Sequence, residues 1–290
     1  MALSVRRGAG ALVVGLALMA CSPTSAPPEA DAGEPPDAGP GPDAGPPPSD
    51  GGACELTLCL TGAISRTDGS NHAFNIICDD PSIQGLVQEC DLAGCYNTFN
   101  SFLVDVKTVI YPPLFKALDT NGDGKVDALD APCQVTLLGF SWGGASAVQL
   151  AQALVTDPNV APARQRVDRV FAMDPFQTGI SELVIPVGVD HYWEFRHSIV
   201  PAAGDCSSGA PLGPYKGLVP HCYADAGSSC IDYDYSLSPT VNFPANVGGS
   251  FLGEDVGHCD VPAVAGPAVL AILKGQNYPE LPVTVPVAAP

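Results

Sequence analysis

The sequence predicts an α/β fold, in which a mostly parallel sheet carries helices on both faces. Two short apolar runs, Val135 to Gly139 and Val170 to Met173, are typical of strands buried on both faces of such a sheet. The first run is followed by an apolar stripe with helical spacing, formed by Ala147, Leu150, Ala151 and Leu154. A buried strand that leads directly into a helix is the building unit of this fold class.

The N-terminus has the layout of an export signal. Arg6 and Arg7 precede a short apolar core, Ala11 to Ala20, which is too short to cross a bilayer. The residues Leu-Met-Ala stand directly before Cys21 and resemble a bacterial lipobox, in which a lipid is joined to the cysteine. Residues 1–21 are therefore interpreted as a lipoprotein signal peptide, with Cys21 as the lipidated residue at a membrane of the cell envelope.

Residues 22–53 are predicted to form a disordered tether. Ten of them are proline, and Asp-Ala-Gly recurs with a period of six residues, so the segment has almost nothing apolar to bury. The remainder, residues 54–290, is long enough for one domain with a full core. The net charge of −19 argues against nucleic acid as a partner, and also against docking on anionic lipid.

The cysteine count indicates an oxidising compartment. Besides Cys21 the chain has ten cysteines, at positions 54, 59, 78, 90, 95, 133, 206, 222, 230 and 259. An even number behind an export signal predicts up to five disulfides that staple the loops, whose pairing the sequence leaves open. A zinc site is disfavoured, because no paired Cys-x-x-Cys motif is present.

Gly139 to Gly143 reads Gly-Phe-Ser-Trp-Gly and fits the pattern G-x-S-x-G. The pattern stands between the predicted strand and helix, the context in which a sharp turn exposes a serine oxygen as a nucleophile. Ser141 is the candidate nucleophile, and the N–H of Trp142 at the start of the helix is a candidate oxyanion donor. Phe140 and Trp142 flank the serine and are expected to form an apolar wall.

With this motif, the chain resembles the α/β-hydrolase superfamily, which includes lipases and esterases. The resemblance implies an α/β-hydrolase fold, an acyl-enzyme mechanism, and a triad in the chain order serine, acid, histidine. Carboxylic esters are the expected substrates. Two alternatives stay open: acyl transfer or peptide cleavage by the same triad, and a non-catalytic, calcium-stabilised surface protein that uses the fold for binding.

His258 is the candidate general base. It precedes the last apolar helical run of the chain, and the resemblance implies a base in that place. Three other histidines follow the serine and compete for the role: His191, His197 and His221. His72 precedes the serine and does not fit the order.

Asp174 is the candidate acid. It ends the second buried strand, and the carboxyl ends of parallel strands share one edge of the sheet with the serine turn. The resemblance to pancreatic-type lipases, which carry their acid in an Asp-Pro pair, implies the same residue. Asp205 is the alternative one strand later, followed by Asp232 and Asp234.

The second oxyanion donor is expected in the loop after an early strand. Leu56 to Leu60 is the predicted strand, and Thr61, Gly62 and Ala63 follow it. An HGGG-type motif does not stand there, which disfavours the esterase groups that carry one and leaves this donor unassigned.

Residues 119–130, Asp-Thr-Asn-Gly-Asp-Gly-Lys-Val-Asp-Ala-Leu-Asp, fit an EF-hand calcium loop. Oxygen ligands are expected from the side chains of Asp119, Asn121, Asp123, Asp127 and Asp130, and from the carbonyl of Lys125. An aspartate at the twelfth position makes the loop similar to dockerin-type loops. A helix is expected before it, over roughly Thr98 to Leu118, and no helix after it, which predicts a structural calcium site.

Overall fold

A seven-stranded sheet forms the centre of the protein. The computed structural model describes residues 54–62, 69–83, 85–86, 89–91, 94–199, 216–222, 229–242, 250–278 and 282–287. The strands are β1 (Cys54–Thr61), β2 (Glu89–Asp91), β3 (Gly94–Tyr96), β4 (Phe99–Asn100), β5 (Cys133–Phe140), β6 (Val167–Met173), β7 (Glu182–Ile185), β8 (Val189–Arg196), β9 (Val219–Cys222), β10 (Ser229–Asp234), β11 (Val241–Asn242), β12 (Ser250–Phe251) and β13 (Val283–Val285). The α-helices are α1 (Gly69–Cys78), α2 (Tyr111–Leu118), α3 (Trp142–Thr156) and α4 (Val261–Leu273).

The strand order of the main sheet is β13-β10-β8-β6-β5-β1-β4. Every neighbouring pair in it is parallel except β10 and β13, which are antiparallel. The chain therefore runs from β1 to one side, at β4, and then returns to the other side, at β5. Such a reversal opens a crevice beyond the carboxyl ends of β1 and β5, where ligand sites of open α/β sheets form.

Alternate residues of the central strands enter two separate apolar cores. Leu137 and Val170 pack with α2 and α3 on one face of the sheet. Leu138 and Phe171 pack with α1 and α4 on the other. Both cores are fully buried, which explains why the sequences of β5 and β6 lack a polar alternation. The predicted mostly parallel sheet with helices is confirmed.

Three disulfides with both cysteines among the described residues connect strands and helices. Cys54–Cys133 joins the first residues of the adjacent strands β1 and β5, across 79 residues of chain. Cys59–Cys78 fixes the end of α1 to β1, and Cys222–Cys230 joins β9 to β10. Cys259, next to the candidate base, is disulfide-bonded as well. The prediction of disulfides is therefore confirmed for these cysteines.

The helix expected over roughly Thr98 to Leu118 starts later than predicted. Residues 99–100 form β4, and the helical segment begins with a π-turn at Val106–Ile110 that continues into α2. The start is set by Asp105, whose carboxylate accepts a hydrogen bond from the N–H of Thr108 at 2.9 Å. The predicted helix before the acidic loop is thus correct only for its second half.

Some predictions concern residues outside the described ranges. These are the signal peptide with Cys21, the tether over residues 22–53, Ala63, the alternative acid Asp205 and the disulfide candidate Cys206. None of the helices that the structure describes combines the length and the apolar character that a membrane crossing needs.

Candidate active site

Ser141 lies on a sharp turn between β5 and α3. Its φ of 58° and ψ of −125° place a non-glycine residue in a backbone region that is rarely populated. The turn is held from both sides, because the N–H of Ser141 donates to the carbonyl of Met173 at 3.0 Å, and the N–H of Phe176 donates to the carbonyl of Ser141 at 3.0 Å. The serine oxygen is thereby fixed at the carboxyl edge of the sheet.

Ser141, His258 and Asp174 form one hydrogen-bonded chain. The Oγ of Ser141 lies 2.8 Å from Nε2 of His258, and Nδ1 of His258 bonds Oδ2 of Asp174. Asp174 directly follows β6, and His258 stands three residues before α4. All three side chains are buried. The structure therefore brings together the three residues that the sequence singles out as nucleophile, base and acid.

Asp174 is fully buried and remains ionised. Burial would raise the pKa of its carboxyl, but the charge and hydrogen bond of His197, and then those of His258, hold the pKa well below its usual value. The second oxygen of the carboxylate, Oδ1, is bonded by the backbone N–H and by Nδ1 of His197, both at 2.9 Å. The acid thus contacts two imidazoles, one through each oxygen.

Aromatic side chains hold the imidazole of His258. Phe140 stacks on it with ring centroids 5.0 Å apart, and Phe176 approaches it edge-on at 6.5 Å. The ring of Phe140 therefore packs on the base instead of forming the predicted wall beside the serine. On that side Phe102, which is partly exposed, packs edge-on against Trp142 at 5.3 Å. The apolar surface beside Ser141 therefore comes from Trp142 and the loop after β4.

The space in front of Ser141 is bordered by two backbone segments. Trp142 is the first residue of α3. A backbone N–H in the first turn of a helix has no partner within the helix and can donate a hydrogen bond to an anion. A Cβ added to Gly62 would lie 2.7 Å from Cβ of Ser141 and 2.9 Å from both its Oγ and the nitrogen of Trp142. Only a glycine after β1 therefore leaves room here for a substrate oxygen.

The other candidates for base and acid have different partners. His191 bonds the hydroxyl of Ser229 at 2.8 Å, and His221 lies 3.8 Å from Glu182. Asp232 binds Arg196 through both oxygens, and Asp234 lies 3.6 Å from the same guanidinium. His72 lies in α1, which precedes Ser141 in the chain.

A buried ionic cluster lies beside the acid. Arg196 ends β8 and is surrounded by the carboxyls of Glu194 and Asp232, together with Asp234. Burial, and then the charge of Asp232, raises the pKa of Glu194 well above its usual value and so favours the neutral form of this carboxyl, to which Tyr192 donates a hydrogen bond. The cluster thereby limits the negative charge next to Asp174.

Two residues of the site, His197 and Gly217, have roles that the sequence does not predict. His197 competes there only as a base, yet it contacts the acid. A Cβ on Gly217 would lie 2.6 Å from Oδ1 of Asp174, so this glycine closes over the carboxylate and shields it from water. Neither contact has a local signal, because both depend on how β6, β8 and the segment before β9 meet.

The acidic loop at residues 119–130 adopts a compact turn. Gly122 and Gly124 have φ values of 76° and 81°, as the bends of the predicted loop require. Asp119 accepts hydrogen bonds from the backbone N–H groups of Gly122, Asp123 and Gly124 at 2.8–3.1 Å. The backbone therefore has the shape expected of a calcium loop.

The ligand side chains of this loop do not converge on one point. Asp130 is turned towards the N–H groups of Thr120, Asn121 and Asp127, and Asp123 caps Lys125. Within the described part of the chain, no three His, Cys, Asp or Glu side chains are grouped so that they could hold a metal ion. The loop fits calcium in its backbone but not in its carboxylates, and calcium stays a prediction.

Comparisons with known proteins add no relative. No protein-family model matches the sequence, and no curated protein matches it. The function is therefore argued from the residues of the site.

Proposed function

We propose that this chain is a serine hydrolase of the α/β-hydrolase fold that cleaves carboxylic esters. The observation that carries the proposal is the unbroken hydrogen-bonded chain from Oγ of Ser141 through the imidazole of His258 to Asp174. Nucleophile, base and orienting acid in such contact are the requirements for activating a serine hydroxyl. The strained turn of Ser141 at the start of α3 supports the same reading.

In the first half-reaction, Oγ of Ser141 attacks the carbonyl carbon of the ester while Nε2 of His258 takes its proton. Asp174 holds the imidazole by its Nδ1–H and stabilises the positive charge that forms on it. The oxyanion of the tetrahedral intermediate is bound by the N–H of Trp142. The carbon–oxygen bond to the alcohol then breaks, and His258 returns the proton to the leaving oxygen.

In the second half-reaction, a water molecule gives its proton to Nε2 of His258 and attacks the acyl-enzyme. The second tetrahedral intermediate collapses, Ser141 regains its proton, and the acid leaves. Burial of Asp174 below Gly217 keeps its charge directed at the imidazole, since water cannot screen it there.

Two further parts of the proposal concern the surroundings of the enzyme. The chain is exported as a lipoprotein and held at a membrane of the cell envelope through a lipid on Cys21, with residues 22–53 as a spacer. Residues 119–130 bind a structural calcium ion, which requires their carboxylates, not grouped in this structure, to turn towards the ion. The first part is supported by the lipobox, and the second by the ligand pattern and the glycine conformations of the loop.

The hydrolysis of p-nitrophenyl esters of increasing acyl length tests the activity. We expect turnover by the wild type and a loss of at least about 10³-fold in kcat for Ser141→Ala, since the nucleophile is gone. Thioester and peptide substrates in the same assay identify the competing acyl transfer or peptidase activities. Hydrolysis that is unchanged in Ser141→Ala, or absent from the wild type for every ester, contradicts the proposal.

A further inference from the structure

The acid of the candidate triad is shared by two histidines. His258 occupies Oδ2 of Asp174, while Oδ1 receives both the backbone N–H and Nδ1 of His197, each at 2.9 Å. His197 directly follows β8, the neighbour of β6 in the sheet, and its side chain is completely buried. Both donors therefore come from one rigid position at the carboxyl edge of the sheet.

This arrangement fixes the rotation of the carboxylate. A side-chain carboxylate turns easily about its terminal bond, because that torsion has a broad and shallow profile. Two donors on Oδ1 of Asp174 remove this freedom and leave Oδ2 directed at His258. The backbone of Asp174 is itself constrained, with a φ of 42°.

The charges around the pair favour a hydrogen-bond donor at this position. Among the described residues, the acids of the neighbouring cluster are Glu194, whose carboxyl pKa is raised, and Asp232 and Asp234, which lie against the guanidinium of Arg196. Asp174 is fully buried, and Gly217 lies directly against its Oδ1. A buried carboxylate oxygen without a donor costs considerable free energy, so His197 satisfies a requirement that solvent cannot meet.

We propose that His197 is a positioning residue for the reaction: its Nδ1–H holds the carboxylate of Asp174 in the orientation that the imidazole of His258 needs. The proposal rests on the proposed serine hydrolase function. If His197 only filled space, the effect of replacing it on kcat would depend on the shape of the new side chain and not on whether that side chain donates a hydrogen bond.

Two nearly isosteric variants separate these roles. In His197→Asn the amide nitrogen takes the place of Nδ1 and still donates to Asp174, whereas His197→Leu has a similar shape without a donor. We expect His197→Asn to retain kcat within about threefold of the wild type, and His197→Leu to lose about 10- to 100-fold in kcat with little change in KM, the range expected for a hydrogen bond to a charged group. Equal losses in both variants, or no loss in His197→Leu, overturn the proposal.

A measurement on the wild type keeps the test independent of activity and of variant folding. Nitrogen-15 NMR of the imidazoles reports which ring nitrogen carries the proton. The proposal requires a protonated Nδ1 on His197 in the resting protein, and an unprotonated Nδ1 overturns it. If this nitrogen is protonated while the wild type shows no esterase activity, the proposed function is wrong. The hydrogen bond from His197 to Asp174 is then still supported.

Discussion

At Ser141, Asp174 and Leu103 the backbone has positive φ values of 58°, 42° and 56°, and these are the non-glycine residues with this property among those described. The first two belong to the candidate triad, and Leu103 lies in the loop beside Trp142. Such conformations cost of order 1–3 kcal/mol each and persist only where surrounding contacts enforce them. Their concentration at one edge of the sheet is typical of a functional site.

Gly62→Ala is expected to block the oxyanion side of the site. The new methyl group would lie within 2.7–2.9 Å of Ser141 and of the nitrogen of Trp142, in the space that a substrate oxygen needs. We expect kcat/KM for p-nitrophenyl esters to fall by about 10²- to 10³-fold, as for the loss of an oxyanion donor.

The control for this variant is Gly266→Ala in α4, where the added methyl group meets only the side chain of Ile77, at 3.1 Å. It is expected to leave kcat/KM unchanged. If Gly62→Ala hydrolyses esters as fast as Gly266→Ala, Gly62 does not border the oxyanion site.

Glu194→Gln is expected to change how stability depends on pH. The pKa of the Glu194 carboxyl is raised in the folded protein, so above the unfolded pKa of about 4.3 folding must take up a proton, and stability falls as pH rises towards the folded pKa. Glutamine cannot ionise and keeps an acceptor for Tyr192. Urea unfolding should therefore show the variant gaining stability relative to the wild type as the pH rises from about 5 towards the raised pKa of Glu194. If the difference in the free energy of unfolding between variant and wild type stays constant or shrinks as the pH rises, the pKa of Glu194 is not raised in the folded protein.

At the scale of elements, the strand–turn–helix unit of β5 and α3 is the part that the sequence predicts best. The apolar run, the glycines and the helical stripe all specify it locally, and the structure differs from the prediction by only a few residues at each end. The end of β6 before Asp174 is predicted in the same way, from an apolar run that ends in a polar residue. The loop at His258 is predicted from the apolar helical run that follows it, and its role as base comes from the resemblance.

Other elements depend on contacts between distant segments. The small parallel pair of β7 and β9 lies apart from the main sheet. Residues 99–100 form β4 at the edge of the main sheet instead of starting a helix. The position of His197 against Asp174 is set by the register of β6 with β8, in which Met173 is opposite Phe195. Periodicity within one segment cannot reveal such pairings.

The acidic loop is expected to stabilise the fold when calcium is bound. Val126 in this loop is buried and pairs with Val160 in the loop after α3, so residues 119–130 are joined to the segment that follows the C-terminus of this helix. At calcium a hundredfold above Kd, stability should increase by about 2.7 kcal/mol, which is roughly 5–10 °C in Tm for a domain of this size. Thermal unfolding in calcium and in EDTA measures the shift.

The matched variant is Asp123→Asn, which removes one ligand charge and keeps the acceptor for the N–H of Lys125. It should lower the calcium-dependent shift in Tm while unfolding at the same temperature as the wild type in EDTA. Identical Tm values in calcium and EDTA for the wild type, with no heat of calcium binding in titration calorimetry, contradict a calcium site.

At the scale of the whole molecule, the sheet topology brings the residues of the candidate site together. The chain reverses direction across the sheet between β4 and β5, and the residues that follow β1, β5, β6 and β8 meet at the resulting crevice. Cys54–Cys133 ties β1 and β5 together at their amino ends, opposite the site. The sequence predicts disulfides from the cysteine count, but their pairing follows from which strands are neighbours, which the sequence leaves open.

The proposed lipid anchor predicts where the protein is found in a bacterial cell. After expression of the full chain with an alkyne-labelled fatty acid, the wild type should carry the label and sediment with membranes, because the lipid on Cys21 holds the chain at the bilayer. Cys21→Ser should carry no label and remain soluble. Label retained by Cys21→Ser, or an unlabelled and soluble wild type, contradicts the anchor.

The most direct test of the central claim is the site at which a fluorophosphonate reacts with the full chain. Peptide mass spectrometry should find a single adduct, on Ser141, because only a serine activated by His258 and Asp174 attacks the reagent at neutral pH. The rate of labelling should fall by about 10²- to 10⁴-fold in His258→Gln, which removes the base. No adduct on Ser141, or an adduct that forms equally fast without His258, would contradict the account.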